Sequence, residues 1–324
     1  MAADMPLEQL KQYMGSSPIP DDFDAYWDRG LAELDRQTME YELVPAEFHS
    51  PVAQCYHLYF TGVGGARIHC KLVRPTAPSN LPAGGPGIVM FHGYACDSGD
   101  WFDKIGYTAH GFTVLAMDCR GQGGWSEDTL TVKGTTIRGH FIRGIDDPDP
   151  DRLYFRNVFL DTVQAARILM SLDGVDPERI GAHGLSQGGA LTVACAALEP
   201  RVKIAVPVYP FLSDYKQANQ LSPTTSAYEE LVYYFRFFDP HHQREDEIFE
   251  RLGYIDIQNL APRIQADVLW VTGLADIICP PSTQFAAYNK ITSAKEMLIY
   301  HEYGHEYLPA LADRTLEKLM QLTK

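Results

Sequence analysis

The chain has 324 residues, 45% of them hydrophobic, which suits one large α/β domain or two small ones with a real core. Its 27 Lys and Arg against 42 Asp and Glu give a formal net charge of −15, and no dense basic block occurs. A phosphate backbone or an anionic membrane surface needs clustered cations, so neither nucleic acid nor membrane is an expected partner, and a small neutral substrate is.

The start, MAADMPLEQL, carries neither a basic segment nor an apolar one, and no apolar run is long enough to span a bilayer. This reads as a cytoplasmic protein. Residues 19–34 (IPDDFDAYWDRGLAEL) predict a helix: Asp21 or Asp22 can cap it, and Phe23, Tyr26, Trp27 and Leu34 recur at helical spacing. CYHLYF, TGVGG and ARIHCKLVRP then read as two strands around a glycine turn. If the turn at 61–65 joins them, Cys55 and Cys70 could face each other. Reduced thiols remain the expectation, because the six cysteines are scattered and none forms Cys-x-x-Cys. A Pro/Gly loop, PTAPSNLPAGGPG, follows.

From residue 87 the pattern changes. GIVMFHG (87–93), FTVLAMD (112–118), RIGAHG (179–184), KIAVPVYP (203–210), DVLWVTG (267–273) and EMLIY (296–300) are short apolar runs that read as buried strands. Phe159, Val163, Ala166 and Met170 share one face of a helix between Tyr154 and Leu172. LTVACAAL (191–198) is a small-residue helix, and Leu308, Leu311, Thr315, Leu319 and Leu322 mark a closing one. Such alternation predicts a mostly parallel sheet covered by helices on both faces, with ligands at the carboxyl ends of its strands. One domain over 1–324 is expected, with 1–50 as an N-terminal helical extension. Residues 210–260, aromatic-rich around YYFRFF (233–238), interrupt the alternation before DVLWVTG. An insertion of this length reads as a lid or an interface, or as extra helices packed on the core.

Gly184-Leu185-Ser186-Gln187-Gly188 is a G-x-S-x-G elbow with a strand leading in and a helix leading out. Its glycines permit a tight turn that lifts the Ser186 hydroxyl above the sheet edge, at a helix N-terminus that favours negative charge. The bland alternative is a strand-to-helix turn with a capping serine. A nucleophilic serine needs a base, and the base an orienting acid, in the order Ser, Asp or Glu, His. Asp276 follows DVLWVTG and His305 follows EMLIY, both at the sheet edge that carries Ser186. Asp267 is a weaker acid candidate at the opposite edge, and His301 stays open as a second base. Two N–H donors are needed for a tetrahedral oxyanion: the amide of Gln187 and that of Tyr94, in the loop His92-Gly93-Tyr94. His92 itself reads as a structural histidine.

A zinc reading competes for the same histidine. His301-Glu302-Tyr303-Gly304-His305 matches H-E-x-x-H, which holds a metal when a helix puts both imidazoles on one face. Here the motif starts right after a strand, Gly304 weakens any helix by about 1 kcal/mol, and Leu308 and Leu311 stand where the longer motif has Gly and His. His305 is therefore assigned to the serine, and neither metal nor cofactor is expected. His241-His242 reads as solvated surface, and the aspartates of 146–151 as a loop rather than a calcium site.

Five segments carry a resemblance to a known family: His92-Gly93-Tyr94, Arg120-Gly121-Gln122-Gly123, Ser186-Gln187-Gly188-Gly189, Asp276 with CPPST and FAAYN, and His305-Glu306. Together they resemble the acetyl xylan esterases and cephalosporin C deacetylases among the α/β-hydrolases, from the N-terminal helix to the end of the chain. The resemblance implies an α/β-hydrolase fold, a Ser186–Asp276–His305 triad and an oxyanion hole of the Tyr94 and Gln187 amides. It implies removal of acetyl groups from short xylo-oligosaccharides and cephalosporin C, by an intracellular homohexamer whose sites face an inner cavity. Arg120 and Gln122 are expected as structural support. Leu185 stands where the family often has Gly, and ACDSGDW (95–101) is individual to this chain. A serine peptidase or longer-chain esterase on the same fold, and a non-catalytic binding protein that kept the fold, are the rival readings.

Overall fold

The computed structural model describes residues 4–77, 84–134, 140–221 and 227–324. Part of the Pro/Gly loop (78–83) and of the insertion (222–226) lies outside the described residues.

Nine strands form one sheet: β1 (Tyr41–Pro45), β2 (Ala53–Thr61), β3 (Arg67–Pro75), β4 (Gly85–Phe91), β5 (Thr113–Met117), β6 (Val175–Leu185), β7 (Val202–Val208), β8 (Asp267–Gly273) and β9 (Lys295–Tyr300). Their order is β1-β2-β3-β5-β4-β6-β7-β8-β9. β1, β2, β3 and β5 pair antiparallel; short connections fold β1 onto β2 and β2 onto β3, whereas β5 reaches β3 only after β4 and a helix have intervened. From β5 through β4 to β9 all pairing is parallel, as helical crossovers require. Every strand expected from an apolar run is present.

The sheet buries both faces. Val89 and Phe91 of β4 join a core with Trp27, Phe159 and Leu191, under the helices Phe23–Asp35, Tyr154–Ser171 and Gln187–Leu198. Ile88 of the same strand joins Phe112, Val206, Val271 and Leu319, under the helices Phe102–Thr108 and Leu311–Leu319. Burial on both sides is why these strands read as unbroken apolar runs rather than alternating ones. Trp27 stacks on Phe159 with centroids 5.8 Å apart, and its indole N–H donates to the carbonyl of Tyr254 at 3.0 Å.

Three expectations change. Asp22 does occupy the N-cap of its helix but makes no side-chain capping bond; its carboxylate accepts from the Tyr254 hydroxyl instead. Cys55 lies opposite Val73 and Cys70 opposite Leu58, an offset of three positions that sends the thiols to opposite faces, and both are free. β1 was not expected, since all five of its residues are exposed and YELVP shows no buried pattern; backbone pairing with β2 makes it a strand.

Residues 210–260 supply the helices Tyr215–Leu221, Glu229–Phe238 and Glu245–Leu252. Tyr215, Tyr228, Tyr234, Phe235 and Phe249 are buried on the core, while Phe237 and Phe238 stay exposed, so the segment both extends the core and presents an apolar surface. Among the described residues no helix is long and apolar enough to cross a membrane.

Candidate active site

β6 delivers Ser186 in a sharp turn with φ 58° and ψ −118°, a conformation a side chain tolerates only under constraint. The constraint is close backbone packing. A Cβ at Gly184 would sit 2.4 Å from the Gly188 carbonyl oxygen, and one at Gly188 would sit 2.1 Å from that of Phe91. The Ser186 N–H donates to Val208 O at 2.9 Å, and the Ser186 carbonyl accepts from Phe211 N–H at 3.1 Å. The side chain is left half-buried at the head of the helix Gln187–Leu198.

Asp276 and His305 meet through the loops after β8 and β9. Leu274 N–H donates to Tyr300 O and Ala275 N–H to Tyr303 O, both at 2.9 Å, which stitches the two loops together. His305 Nδ1 lies 2.9 Å from Asp276 Oδ2. The other oxygen of Asp276 accepts from the N–H groups of Ile278 at 2.8 Å and Cys279 at 2.9 Å. A carboxylate only accepts, so His305 Nδ1 carries a proton, and in the neutral ring Nε2 is then the accepting nitrogen. Tyr209, itself buried, packs its ring 4.4 Å from the imidazole.

Cys279 completes the cluster and was not singled out in the sequence. Its buried thiol hydrogen-bonds the Ser186 side chain, and burial pushes the thiol well above its ordinary range. Ligand atoms of Asp276, Cys279 and His305 lie within 4.8 Å of one another. Cys279 thus adjoins both Ser186 and the Asp276–His305 pair. A cation held through His305 Nδ1 would displace the proton that bonds Asp276.

The H-E-x-x-H match has no helix beneath it: residues 301–305 form an irregular loop, and His301 is exposed. Glu306 instead accepts from Gly304 N–H at 3.0 Å and shapes the loop.

On the other side of Ser186, Gln187 opens its helix, where an N–H has no intrahelical acceptor. The loop after β4 lies against this elbow: a Cβ built on Gly93 would sit 4.0 Å from Leu185 O, and one built on Gly188 would sit 3.1 Å from His92 O. His92 Nε2 accepts from Cys119 N–H at 2.9 Å and its Nδ1 donates to Gly93 O at 2.7 Å. Burial lowers its pKa, so it is a neutral strut, as expected. Gln122 ties both sides together: its oxygen accepts from Ala95 N–H at 3.0 Å, and its amide pairs reciprocally with that of Gln187 at 3.0 Å. Arg120, fully buried, forks onto Asp161 at 2.6 and 2.7 Å and donates to Val63 O at 3.0 Å. Gln122 thus bonds the loop after β4, whereas the side-chain bonds of Arg120 go to Asp161 and Val63. The residues that sequence reading missed are Cys279, Asp161 and Glu230, which accepts from the Tyr94 hydroxyl.

The chain spans 99% of its length over acetyl xylan esterase 1 of Thermoanaerobacterium sp. JW/SL YS485, and all of that chain, at 51% identity and a TM-score of 0.95. An acetyl xylan esterase of Paenibacillus sp. R4 matches 98% of this chain and 99% of its own at 34% identity, with a TM-score of 0.93. The curated acetyl esterase Axe7A of Xylanibacter ruminicola is 29% identical over 90% of this chain, which spans 64% of that relative's length. At 16% identity the acylaminoacyl peptidase of Pyrococcus horikoshii shares the α/β-hydrolase fold alone, with a TM-score of 0.59 over 84% of this chain and 40% of its own. The profile of the acetyl xylan esterase (AXE1) family runs over residues 1–322, and with a solved member superposing along nearly the whole length this chain belongs to that family.

Proposed function

We propose that the chain is a serine carboxylesterase that removes acetyl groups from small acetylated carbohydrates, with Ser186 as nucleophile, His305 as base and Asp276 as orienting acid. The observation that carries this reading is the Asp276–His305 hydrogen bond beside a serine on a strained elbow. His305 Nε2 takes the Ser186 proton as Oγ bonds to the acetyl carbon. The oxyanion is held by the Gln187 and Tyr94 amides. Collapse expels the sugar alkoxide, which takes the proton from His305. Water then attacks the acetyl-serine, gives its proton to His305, and acetate leaves as Ser186 is restored.

Short acetylated xylo-oligosaccharides are the proposed substrates, with the 3′-acetyl group of cephalosporin C as a second. Six free thiols, five of them buried, suit a reducing cytoplasm. Apolar side chains left exposed on edge strand β1 (Tyr41, Leu43, Val44) and on Phe237 and Phe238 supply surface for a homo-oligomer, which family likeness makes a hexamer.

The test is hydrolysis of p-nitrophenyl acetate in EDTA by the parent chain and by Ser186→Ala. Activity that survives the substitution and disappears with chelator rejects the assignment. A chain-length series of esters and a peptide amide separate the acetyl esterase from the peptidase and longer-chain rivals. Labelling of Ser186 by a fluorophosphonate separates an enzyme from a binding protein on the same fold.

A further inference from the structure

Glu230 is a buried, multiply bonded carboxylate of the 210–260 insertion. It is 5% exposed and lies in the first turn of the helix Glu229–Phe238. Its oxygens accept from three consecutive backbone N–H groups: His140 at 2.9 Å, Phe141 at 3.1 Å and Ile142 at 3.3 Å. A fourth donor is the Tyr94 hydroxyl. That hydroxyl oxygen in turn lies 3.3 Å from His140 Nδ1. The Tyr94 ring is clasped edge-on between His140, at 5.1 Å, and Phe211, at 5.9 Å. Phe211 is the residue whose N–H bonds the Ser186 carbonyl. The cluster thus spans the insertion, the loop after β4 and the elbow, yet touches none of the reacting atoms.

We infer that Glu230 is a positioning residue: it anchors the Tyr94 side chain so that the Tyr94 backbone N–H is held at the oxyanion position. This rests on the serine-esterase reading and deepens it. Tyr94 has no glycine-like freedom to hold itself, and the next residue, Ala95, already sits at φ 57°. A loop under such strain relaxes when its side-chain anchor is cut. Relaxation moves one donor out of reach of the developing oxyanion, and it moves the substrate's ground-state contacts much less. The insertion is therefore wired to catalysis: it sets transition-state stabilisation through one buried carboxylate.

The experiment compares Glu230→Gln, Tyr94→Phe and the double variant on p-nitrophenyl acetate. Tyr94→Phe removes only the hydroxyl and leaves the backbone N–H in place. Each single variant is expected to lower kcat by ~10–100-fold, with KM within about threefold. Because both cut one tether, the double variant falls no further than the worse single. A methyl trifluoromethyl ketone gives the readout that mere structural support would not move. Ser186 Oγ adds to its carbonyl carbon, the proton passes to His305, and the carbonyl oxygen becomes an oxyanion. Its inhibition constant weakens by the same factor as kcat/KM, while binding of unreactive xylobiose stays unchanged. Unaltered kcat, an additive double variant, or a loss confined to KM overturns the inference. If Glu230→Gln fails to fold, Tyr94→Phe alone decides it. Should Ser186→Ala retain the parent's activity, the serine reading itself fails; if it abolishes activity while both tether variants stay normal, only the inference does.

Discussion

Replacing Asp276 by Asn probes the hydrogen-bond logic of the site with almost no change of shape. Asp276 accepts three bonds, from His305 Nδ1 and from the N–H groups of Ile278 and Cys279. Asn has one accepting oxygen and one donating NH₂, so two orientations compete. If the NH₂ faces Ile278 and Cys279, the buried N–H of Cys279 and the part-buried one of Ile278 lose their acceptor, at about 1–3 kcal/mol for the buried one and less for the other. If it faces His305, both backbone bonds survive, and only the imidazole must adapt. The second orientation wins. His305 then accepts at Nδ1 and carries its proton on Nε2, where it can no longer take one from Ser186. The equivalent change in a Ser-His-Asp triad costs about 10⁴ in kcat, or about 5.5 kcal/mol of barrier. The expectation for Asp276→Asn is thus a ~10³–10⁴-fold loss in kcat on p-nitrophenyl acetate at pH 8, with the thermal midpoint within a few degrees of the parent. A kcat within tenfold of the parent would refute the tautomer argument, and unfolding would refute the claim that the backbone bonds survive.

Gly188→Ala places a Cβ 2.1 Å from Phe91 O, backbone against backbone, where nothing flexible can yield. Overpacking of this kind costs upwards of ~3 kcal/mol, so circular dichroism should show a thermal midpoint at least several degrees lower, together with lost activity. Arg120→Met leaves Asp161 buried and unpaired; urea denaturation should show a loss of about 3–5 kcal/mol, much of it recovered in Arg120→Met/Asp161→Leu. Burial, helped by Arg143, pushes the His140 pKa down to about 4. Its stabilising contribution is whole above the unfolded value of ~6.5 and is lost as pH falls toward the folded one. Asp256, raised to about 7 by burial, acts in the opposite sense, since its acid form is favoured in the fold. The difference between parent and His140→Asn in urea midpoints from pH 7 to 4.5 therefore isolates the histidine: the variant should show the shallower acid-side decline.

Composition and local pattern alone determined a good deal. The six parallel strands were legible because strands covered on both faces are apolar throughout, and their alternation with helical segments points to a parallel sheet. The elbow was legible because its requirements are local: glycines where backbones touch, a strand before and a helix after. Ser186, Asp276 and His305 could be ordered, because loops at strand ends converge on one edge of such a sheet. Tertiary structure alone decided the rest. YELVP became a strand only by pairing with β2. Cys55 and Cys70 were separated by register, which no spacing along the chain reveals. Nothing in AYEELVYY distinguishes Glu230 from its half-buried neighbour Glu229, yet folding buries Glu230 against Tyr94 and three backbone N–H groups. Periodicity reports which face of an element avoids water; the partner of a buried polar group is set by residues far away in the chain, through distances of an ångström or less that only the folded molecule defines.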